Sequence, residues 1–186
     1  MPKIEEKNQI ECEELKTGEY QVGRFKIYVE RKELSGVWIP IRLKIRNRCI
    51  RTSAFCNSGF GYIDPERCRI PLIAIPAVLL VAEGIVDSSE VIEKILGGEE
   101  VFKLDDIERA HVSLDVEERE TGWIEAECYG ITKVPGRVII NLPLMRRLGV
   151  GFRSEDWEDG LWYFIDNPDE KKKSILGVHI LYEIIL

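Results

Sequence analysis

The residues best placed to do chemistry form a short polar loop after an apolar run, Asn57-Ser58-Gly59. Two glycines follow, and glycine permits the positive φ angles and the close backbone approach that a tight loop after a buried strand needs. Asn57 is a carboxamide without a proton that titrates near neutral pH, so it cannot serve as a general acid or base. That contribution is worth roughly 10²–10⁴-fold in rate. The pattern therefore predicts a tight, backbone-rich loop that lacks an acid at its first position.

Two routes could return a carboxylate to this loop. Asn57 precedes the small residue Ser58 and could deamidate to Asp, although a rigid loop usually prevents that reaction. Asp64 could reach the loop from the following segment, but Asp64 followed by Pro65 more simply begins a turn. We therefore interpret Asn57 as a side chain that keeps the geometry of the loop.

Cysteine chemistry is a further candidate. Cys56 could act as a nucleophile, but its neighbours include no His, and His111 and His179 lie far along the chain. The number of cysteines is odd, no Cys-x-x-Cys pair occurs and no His lies nearby, so no metal site is predicted. We expect buried free thiols of a protein in the reducing cytosol at five positions: Cys12, Cys49, Cys56, Cys68 and Cys128.

The composition indicates a globular protein and limits its partners. The chain has 186 residues, of which 45% are hydrophobic and 32% charged, with a formal net charge of -7. A duplex-binding protein would show a basic face, so no nucleic-acid partner is expected. The charged start of the chain and its longest apolar run, 72–82, predict neither a signal peptide nor a membrane span. No Walker A or dinucleotide fingerprint occurs, so no cofactor is predicted. Abundant Ile, Glu, Lys and Arg with little Gln suggest a thermophile.

Alternation and capping signals predict a mainly β chain with short helices. In the second strand, Ile39, Ile41 and Leu43 alternate with Trp38 and other residues of the opposite face. The predicted strands cover 25–29, 37–45, 49–55, 112–116, 123–129, 138–143, 161–165 and 175–186. The predicted helices cover 77–83, 87–96 and 144–148. Residues 99–110 fit either a helical turn or a strand edge, and 167–173 is interpreted as a charged break.

Two motifs follow one another along the chain in an order known from a protein family. Asn57-Ser58-Gly59-Phe60 follows strand, turn and strand, and precedes a short helix that begins after Pro76. Later, Val138-Ile139-Ile140-Asn141-Leu142-Pro143 leads into a short Leu-rich helix. This order resembles the retropepsin-like aspartic proteases, whose loop reads Asp-Thr/Ser-Gly. The resemblance implies a retropepsin-like acid-protease β-barrel over 23–165, with a helical insertion near 87–110. It leaves an N-terminal arm at 1–22 and a C-terminal strand or extension at 166–186.

The departures from the family motif decide the expected activity. Asn57 stands where the family has its catalytic Asp, and Asn141 stands where the second motif has Gly. The family mechanism uses two Asp, one from each subunit of a dimer, which share a proton so that their pKa values separate. The resemblance therefore implies a catalytically inactive homodimer that acts in peptide binding or assembly. The alternatives are an active aspartic-type endopeptidase, through deamidation or another acid, and an unrelated β-barrel adaptor.

The resemblance also implies a groove that accepts an extended peptide by adding strand-type hydrogen bonds. No membrane partner is expected. The aromatic pair Trp157 and Trp162 flanks a polar turn and could line this groove, with core or interface packing as the alternative. The candidate groove residues are Phe60, Gly61, Asn141, Trp157 and Trp162.

Overall fold

The computed structural model describes residues 11–60, 69–104, 107, 109–120 and 122–185. The described strands are β1 Cys12–Glu14, β2 Gly18–Val22, β3 Phe25–Lys32, β4 Trp38–Ile45, β5 Arg48–Cys56, β6 Leu72–Pro76, β7 Val101–Lys103, β8 Ala110–Val116, β9 Arg119–Glu120, β10 Ile124–Ile131, β11 Ile139–Ile140, β12 Val150–Gly151, β13 Leu161–Phe164, β14 Asn167–Lys173 and β15 Gly177–Ile184. The described helices are α1 Ala77–Ala82, α2 Ser88–Leu96 and α3 Leu142–Arg147.

Six strands close into a barrel in the order β4, β5, β11, β6, β10 and β8, with β8 pairing back onto β4. Most neighbours are antiparallel, but β11 runs parallel to β5 and β6 runs parallel to β10. The short strand β11 is inserted between β5 and β6 and pairs with both. The prediction of a mainly β fold with a barrel is therefore confirmed.

Alternation explains why β4 forms a barrel wall. Ile39, Ile41 and Leu43 are buried in the interior, while Arg42 and Lys44 lie on the outer face and are half-buried, as the sequence predicts. Burial of such side chains contributes about 1.5–3 kcal/mol each. The inner residues alone supply this apolar burial, so the outer face of the strand can carry polar side chains.

Trp38 lies on the outer face of β4 but is completely buried, which the alternation does not predict. The chain near the C-terminus covers it. The Trp38 amide donates to the Ser174 hydroxyl at 2.9 Å, and the Ile175 amide donates to the Trp38 carbonyl at 3.2 Å. A side chain at Gly177 would come within 2.7 Å of the Trp38 ring, so only glycine permits this approach.

The helices begin at the predicted signals. Helix α1 follows Pro76 directly, and α2 begins after Asp87, whose carboxylate accepts a hydrogen bond from the Ser89 amide at 3.1 Å. Helix α3 begins at Leu142, two residues earlier than predicted, because Asn141 caps it. The first two helix predictions are confirmed to within a residue.

The strand β15 belongs to the core. It pairs with β3 along Gly177–Ile184, and β2 pairs with the other edge of β3. Val178 and Ile180 of β15 are buried, and the buried Val29 of β3 lies opposite Ile180. The predicted last strand is thus confirmed, and its partner is β3 of the same chain.

The charged break predicted at 167–173 is wrong. This segment forms β14 and pairs antiparallel with β13. Its side chains are nearly all exposed, so the apolar alternation that would reveal a strand is missing. Residues 101–103 form β7, which pairs with β10, so the strand-edge alternative holds there.

The expectation of five free thiols is also wrong. Strand β1 runs parallel to β5 with Cys12 opposite Cys49, and the two residues form a disulfide. The sequence did not reveal this pair because its members come from strands whose register is set by the whole sheet. Cys56 and Cys128 are free and buried, and Cys68 lies outside the described residues.

Within the described residues, no helix combines the length and the apolar character that crossing a membrane requires.

Candidate functional site

The backbone of the barrel fixes the position of the Asn57 loop. The Asn57 amide donates to the Ile140 carbonyl at 3.0 Å, which extends the pairing of β5 and β11 by one residue. Just before the loop, the Phe55 amide donates to the Val138 carbonyl at 2.8 Å, and the Cys56 amide to the Val37 carbonyl at 2.9 Å. The loop therefore leaves the barrel at the end of β5, where β5 is hydrogen-bonded to Val37 on one side and to the segment 138–140 on the other.

The Asn57 side chain closes the loop upon itself. Its Oδ1 accepts a hydrogen bond from the Gly59 amide at 3.0 Å, and the backbone carbonyl of Asn57 accepts one from the Phe60 amide at 3.2 Å. This is the local turn that Asn side chains favour. Asn57 is half-buried, while Ser58 and Gly59 are exposed at the tip. The predicted role of Asn57 in loop geometry agrees with these bonds.

Asn141 lies directly after the strand that supports the loop, and it is fully buried. Its Oδ1 accepts from the amides of Leu72, at 2.9 Å, and Leu144, at 3.1 Å. Its Nδ2 donates to the Ile70 carbonyl at 2.8 Å. Asn141 therefore joins β6 to the start of α3 and presents no surface to a groove. The sequence signal for this role was an Asn followed by Leu-Pro at a helix start.

The predicted groove aromatics fall into two environments. Phe60 is half-buried, with its ring edge-on to Tyr129 at 6.4 Å between centroids. Trp157 is half-buried, contacts Phe55 edge-on and donates its Nε1 to the Cys56 carbonyl at 3.4 Å. Trp162 is only 3% exposed and is a core aromatic. The structure thus places Phe60 and Trp157 at the loop, whereas Trp162 is buried in the core.

Gly61 and Asp64, which the sequence placed after the loop, lie outside the described residues.

The Cys56 thiol is unsuited to nucleophilic chemistry. It is fully buried, and burial raises its pKa far above the ordinary value of a thiol, so it stays protonated at neutral pH. His111 lies on the outer face of the barrel, 3.6 Å from the Glu125 carboxylate. His179 lies in β15, where burial, followed by the charges of Lys32 and Arg137, lowers its pKa. The described histidines therefore leave Cys56 without a base, as the sequence predicts.

A small recess lies beside the loop, and we call it the loop pocket. Its volume is about 280 Å³ and Ser58 forms part of one wall. A side chain at Gly151 would meet the Tyr163 ring at 2.8 Å, so glycine lets that ring form the floor. Ile165 is 48% exposed at the rim. The remaining lining residues are Leu142, Met145, Arg146, Val150 and Phe152.

Sequence reasoning missed the loop pocket because its walls come from the Ser58 loop and three further segments. Leu142 belongs to α3, Gly151 to β12 and Tyr163 to β13, and each reads in the sequence as an ordinary apolar or turn residue. Only the pairing of β12 with β13 and the packing of α3 on β12 bring them together. The arrangement suits an apolar side chain of a bound segment, with the Arg146 guanidinium at the edge.

No protein-family model matches this sequence, and no match is found among curated proteins or among solved structures.

Proposed function

We propose that this chain is a catalytically inactive retropepsin-like domain that binds an extended peptide or protein segment at the Asn57 loop. One observation carries the proposal. The strand of the second motif, β11, is inserted between β5 and β6 and receives the hydrogen bond from the Asn57 amide. Because the resemblance relates these two motifs, their direct contact supports a psi-shaped arrangement of loop and strand.

The proposed lack of catalysis rests on the chemistry of the loop. An amide at position 57 cannot act as a general base or acid toward a water near neutral pH, and its Oδ1 is engaged by the Gly59 amide. The buried Cys56 thiol does not replace it, because its pKa is raised by burial. The described loop therefore offers no group that activates water, which supports the proposal of an inactive domain.

Binding uses the exposed tip of the loop and the loop pocket. An extended segment would lay its backbone against Ser58 and Gly59 and insert one apolar side chain beside Tyr163. The exposed Arg146 guanidinium would pair with an acidic residue next to that side chain. The ligand class is thus an extended segment with an apolar residue next to an acidic one.

A pair of exposed isoleucines offers a matched test of this binding site. Ile165 is 48% exposed at the loop pocket, whereas Ile175 is 40% exposed in a different recess. We expect Ile165→Glu to weaken binding of a selected peptide roughly tenfold or more, because it places a charge at the apolar entrance. Fluorescence anisotropy with labelled peptides from an extended octapeptide library would measure this.

The control is Ile175→Glu, which should bind the same peptide as the parent protein does. Equal effects of the two substitutions would argue against the loop pocket. An unrelated adaptor barrel, the remaining alternative, would bind its partner elsewhere and leave Ile165→Glu without effect.

A homodimer through the two Asn57 loops is part of the proposal, since the resemblance implies that arrangement. The exposure of Ser58 and Gly59 supports it. Sedimentation velocity should show a dimer that Ser58→Arg dissociates by placing two like charges at the contact. A parent protein that remains monomeric would remove the dimer but not the peptide site.

A cytoplasmic location and a thermophilic source also remain proposals. The Cys12–Cys49 disulfide is compatible with both, because intracellular proteins of hyperthermophiles carry disulfides that other cytosolic proteins lack. Thermal unfolding of the oxidised protein above about 90 °C would support a thermophilic source.

A further inference from the structure

The Arg146 guanidinium is the one charged group in the described lining of the loop pocket. Arg146 is exposed in the last turn of α3, and within the described residues its guanidinium has neither an ion pair nor a hydrogen bond. Most of the remaining lining is apolar. An unpaired guanidinium at an apolar recess is a binding point for a carboxylate, because its planar fork matches the two carboxylate oxygens.

The neighbouring Arg147 has the same helical position but a different environment. Both arginines lie in the last turn of α3, where the helix dipole favours cations, and both are exposed. Arg147 lines another recess, beside Pro71, and does not line the loop pocket. The helix dipole therefore accounts for basic residues in this turn, but not for the placement of one of them at the pocket.

Ser58 adds hydrogen-bond donors to the wall of the same recess. The amides of Asn57, Gly59 and Phe60 are all used by hydrogen bonds at the loop. The amide and the hydroxyl of Ser58 have no partner in the part of the chain that the structure describes. Ser58 is exposed at the tip of the loop, so these donors are accessible to a ligand.

The size of the loop pocket limits what can enter it. Its volume of about 280 Å³ is below the roughly 300–1,000 Å³ of pockets that take drug-sized ligands, so it has room for about one side chain. The Arg153 guanidinium lies 5.3 Å from the centroid of the Tyr163 ring, which forms the floor. A second cation is therefore close to the floor, and the described lining contains no carboxylate that would repel an anion.

The ligand class proposed above joins an apolar residue to an acidic group, and strand geometry decides which carboxylate that group is. Successive side chains of an extended segment point to opposite faces. When an apolar side chain enters the loop pocket, an acidic side chain one position away therefore points away from it. The α-carboxylate of the apolar residue is attached to the same Cα as the side chain and reaches the rim with it. A residue with a free α-carboxylate is the last residue of a chain.

We propose that the loop pocket captures the C-terminal residue of a partner segment, an apolar residue with a free α-carboxylate. The side chain enters beside Tyr163, the Arg146 guanidinium binds the carboxylate, and Ser58 donates a hydrogen bond to the same group. This inference rests on the proposed function, because it names the end of the segment that binds at the Asn57 loop.

Fluorescence anisotropy with octapeptides labelled at the N-terminus tests the proposal. A library with Leu, Ile, Val or Phe at the last position is made twice, as free acids and as C-terminal amides. We expect the best free acid to bind about 10- to 100-fold more tightly than its amide, because the amide removes a charged hydrogen-bond partner of Arg146. The same peptide extended by two glycines should bind as weakly as the amide, since its carboxylate is displaced from the pocket.

Two arginine variants assign this effect to the loop pocket. Arg146→Gln should reduce the ratio of free-acid to amide affinity to about 1, because the charged partner of the carboxylate is gone. Arg147→Gln makes the same change one residue further along α3, outside the pocket, and should keep the ratio of the parent protein.

Ile165→Glu separates this inference from the proposed function, because it should weaken binding of the amide as well as of the free acid. Equal affinities of free acid and amide, both weakened by Ile165→Glu, would overturn the terminal carboxylate and leave the peptide site in place. A ratio that Arg146→Gln leaves unchanged would overturn it too. So would an amidated peptide with Glu beside its apolar residue that binds as tightly as the free acid. If no peptide binds in either form, the proposed function and this inference both fail.

Discussion

The Asn57 amide and the Ile140 carbonyl form a hydrogen bond of 3.0 Å between two parts of the chain that are distant in sequence. The bond belongs to the backbone, so the position of residue 57 does not depend on the identity of its side chain. A chain can therefore keep this loop in place after its chemistry has changed. Asn57 and Asn141, which follow the two paired strands, have different environments and give a matched pair of substitutions.

Asn141→Ala should destabilise the protein much more than Asn57→Ala. Asn141 is fully buried, and its loss removes a helix cap and leaves the Leu72 amide and the Ile70 carbonyl unsatisfied. We expect a loss of roughly 2–4 kcal/mol in the free energy of unfolding. Asn57→Ala removes one bond at a partly exposed turn and should cost under about 1 kcal/mol. Urea unfolding at pH 7 measures both, and equal losses would refute the structural role assigned to Asn141.

Reduction of the Cys12–Cys49 disulfide should lower the unfolding free energy by about 2–4 kcal/mol. The bond closes a loop between residues separated by 37 positions, for which the chain-entropy estimate is about 4 kcal/mol. The measurement is urea unfolding with and without dithiothreitol in a Cys68→Ser background, which removes exchange with that thiol.

The double variant Cys12→Ser/Cys49→Ser is the control for the disulfide. It should match the reduced parent and show no response to dithiothreitol. A parent protein whose unfolding is indifferent to the reductant would contradict the disulfide.

The buried free thiols should make stability fall in alkaline solution. Burial raises the pKa of Cys128 to about 12 and that of Cys56 further, from an ordinary value of 9.0. The unfolded chain therefore loses these protons above pH 9 while the folded chain keeps them. The stabilisation is complete below pH 9 and declines as pH rises above it.

Between pH 8 and pH 10 the expected loss is about 1.4 kcal/mol per thiol. Chemical denaturation at the two pH values measures it. Cys128→Ala should lose less than the parent protein over the same interval, by about the share of one thiol. A variant with the parent's full pH dependence would show that Cys128 titrates normally in the folded state.

Local signals in the sequence predicted much of the barrel. Alternation identified the strand around Ile41, and the Asp87 cap identified the second helix, because both depend on neighbouring residues only. The disulfide and strand β14 were missed, because they are defined by pairing with distant strands and β14 has no apolar face. Local pattern carries no information on what lies across a sheet.

The candidate site likewise has one part that the sequence predicted and one part that it did not. The polar loop at Asn57 was found from its glycines and its place after an apolar strand. The loop pocket was not found, because Leu142, Gly151 and Tyr163 meet only in the folded chain.

The most direct test of the central claim is incubation of the protein with a mixed peptide library between pH 3 and pH 7. Mass spectrometry should first establish that residue 57 is still an amide, and Asn57→Ala serves as the blank. We predict no cleavage product above that blank. Acid-dependent cleavage by protein with intact Asn57, blocked by a statine-type transition-state analogue, would contradict the claim that this loop is catalytically inactive.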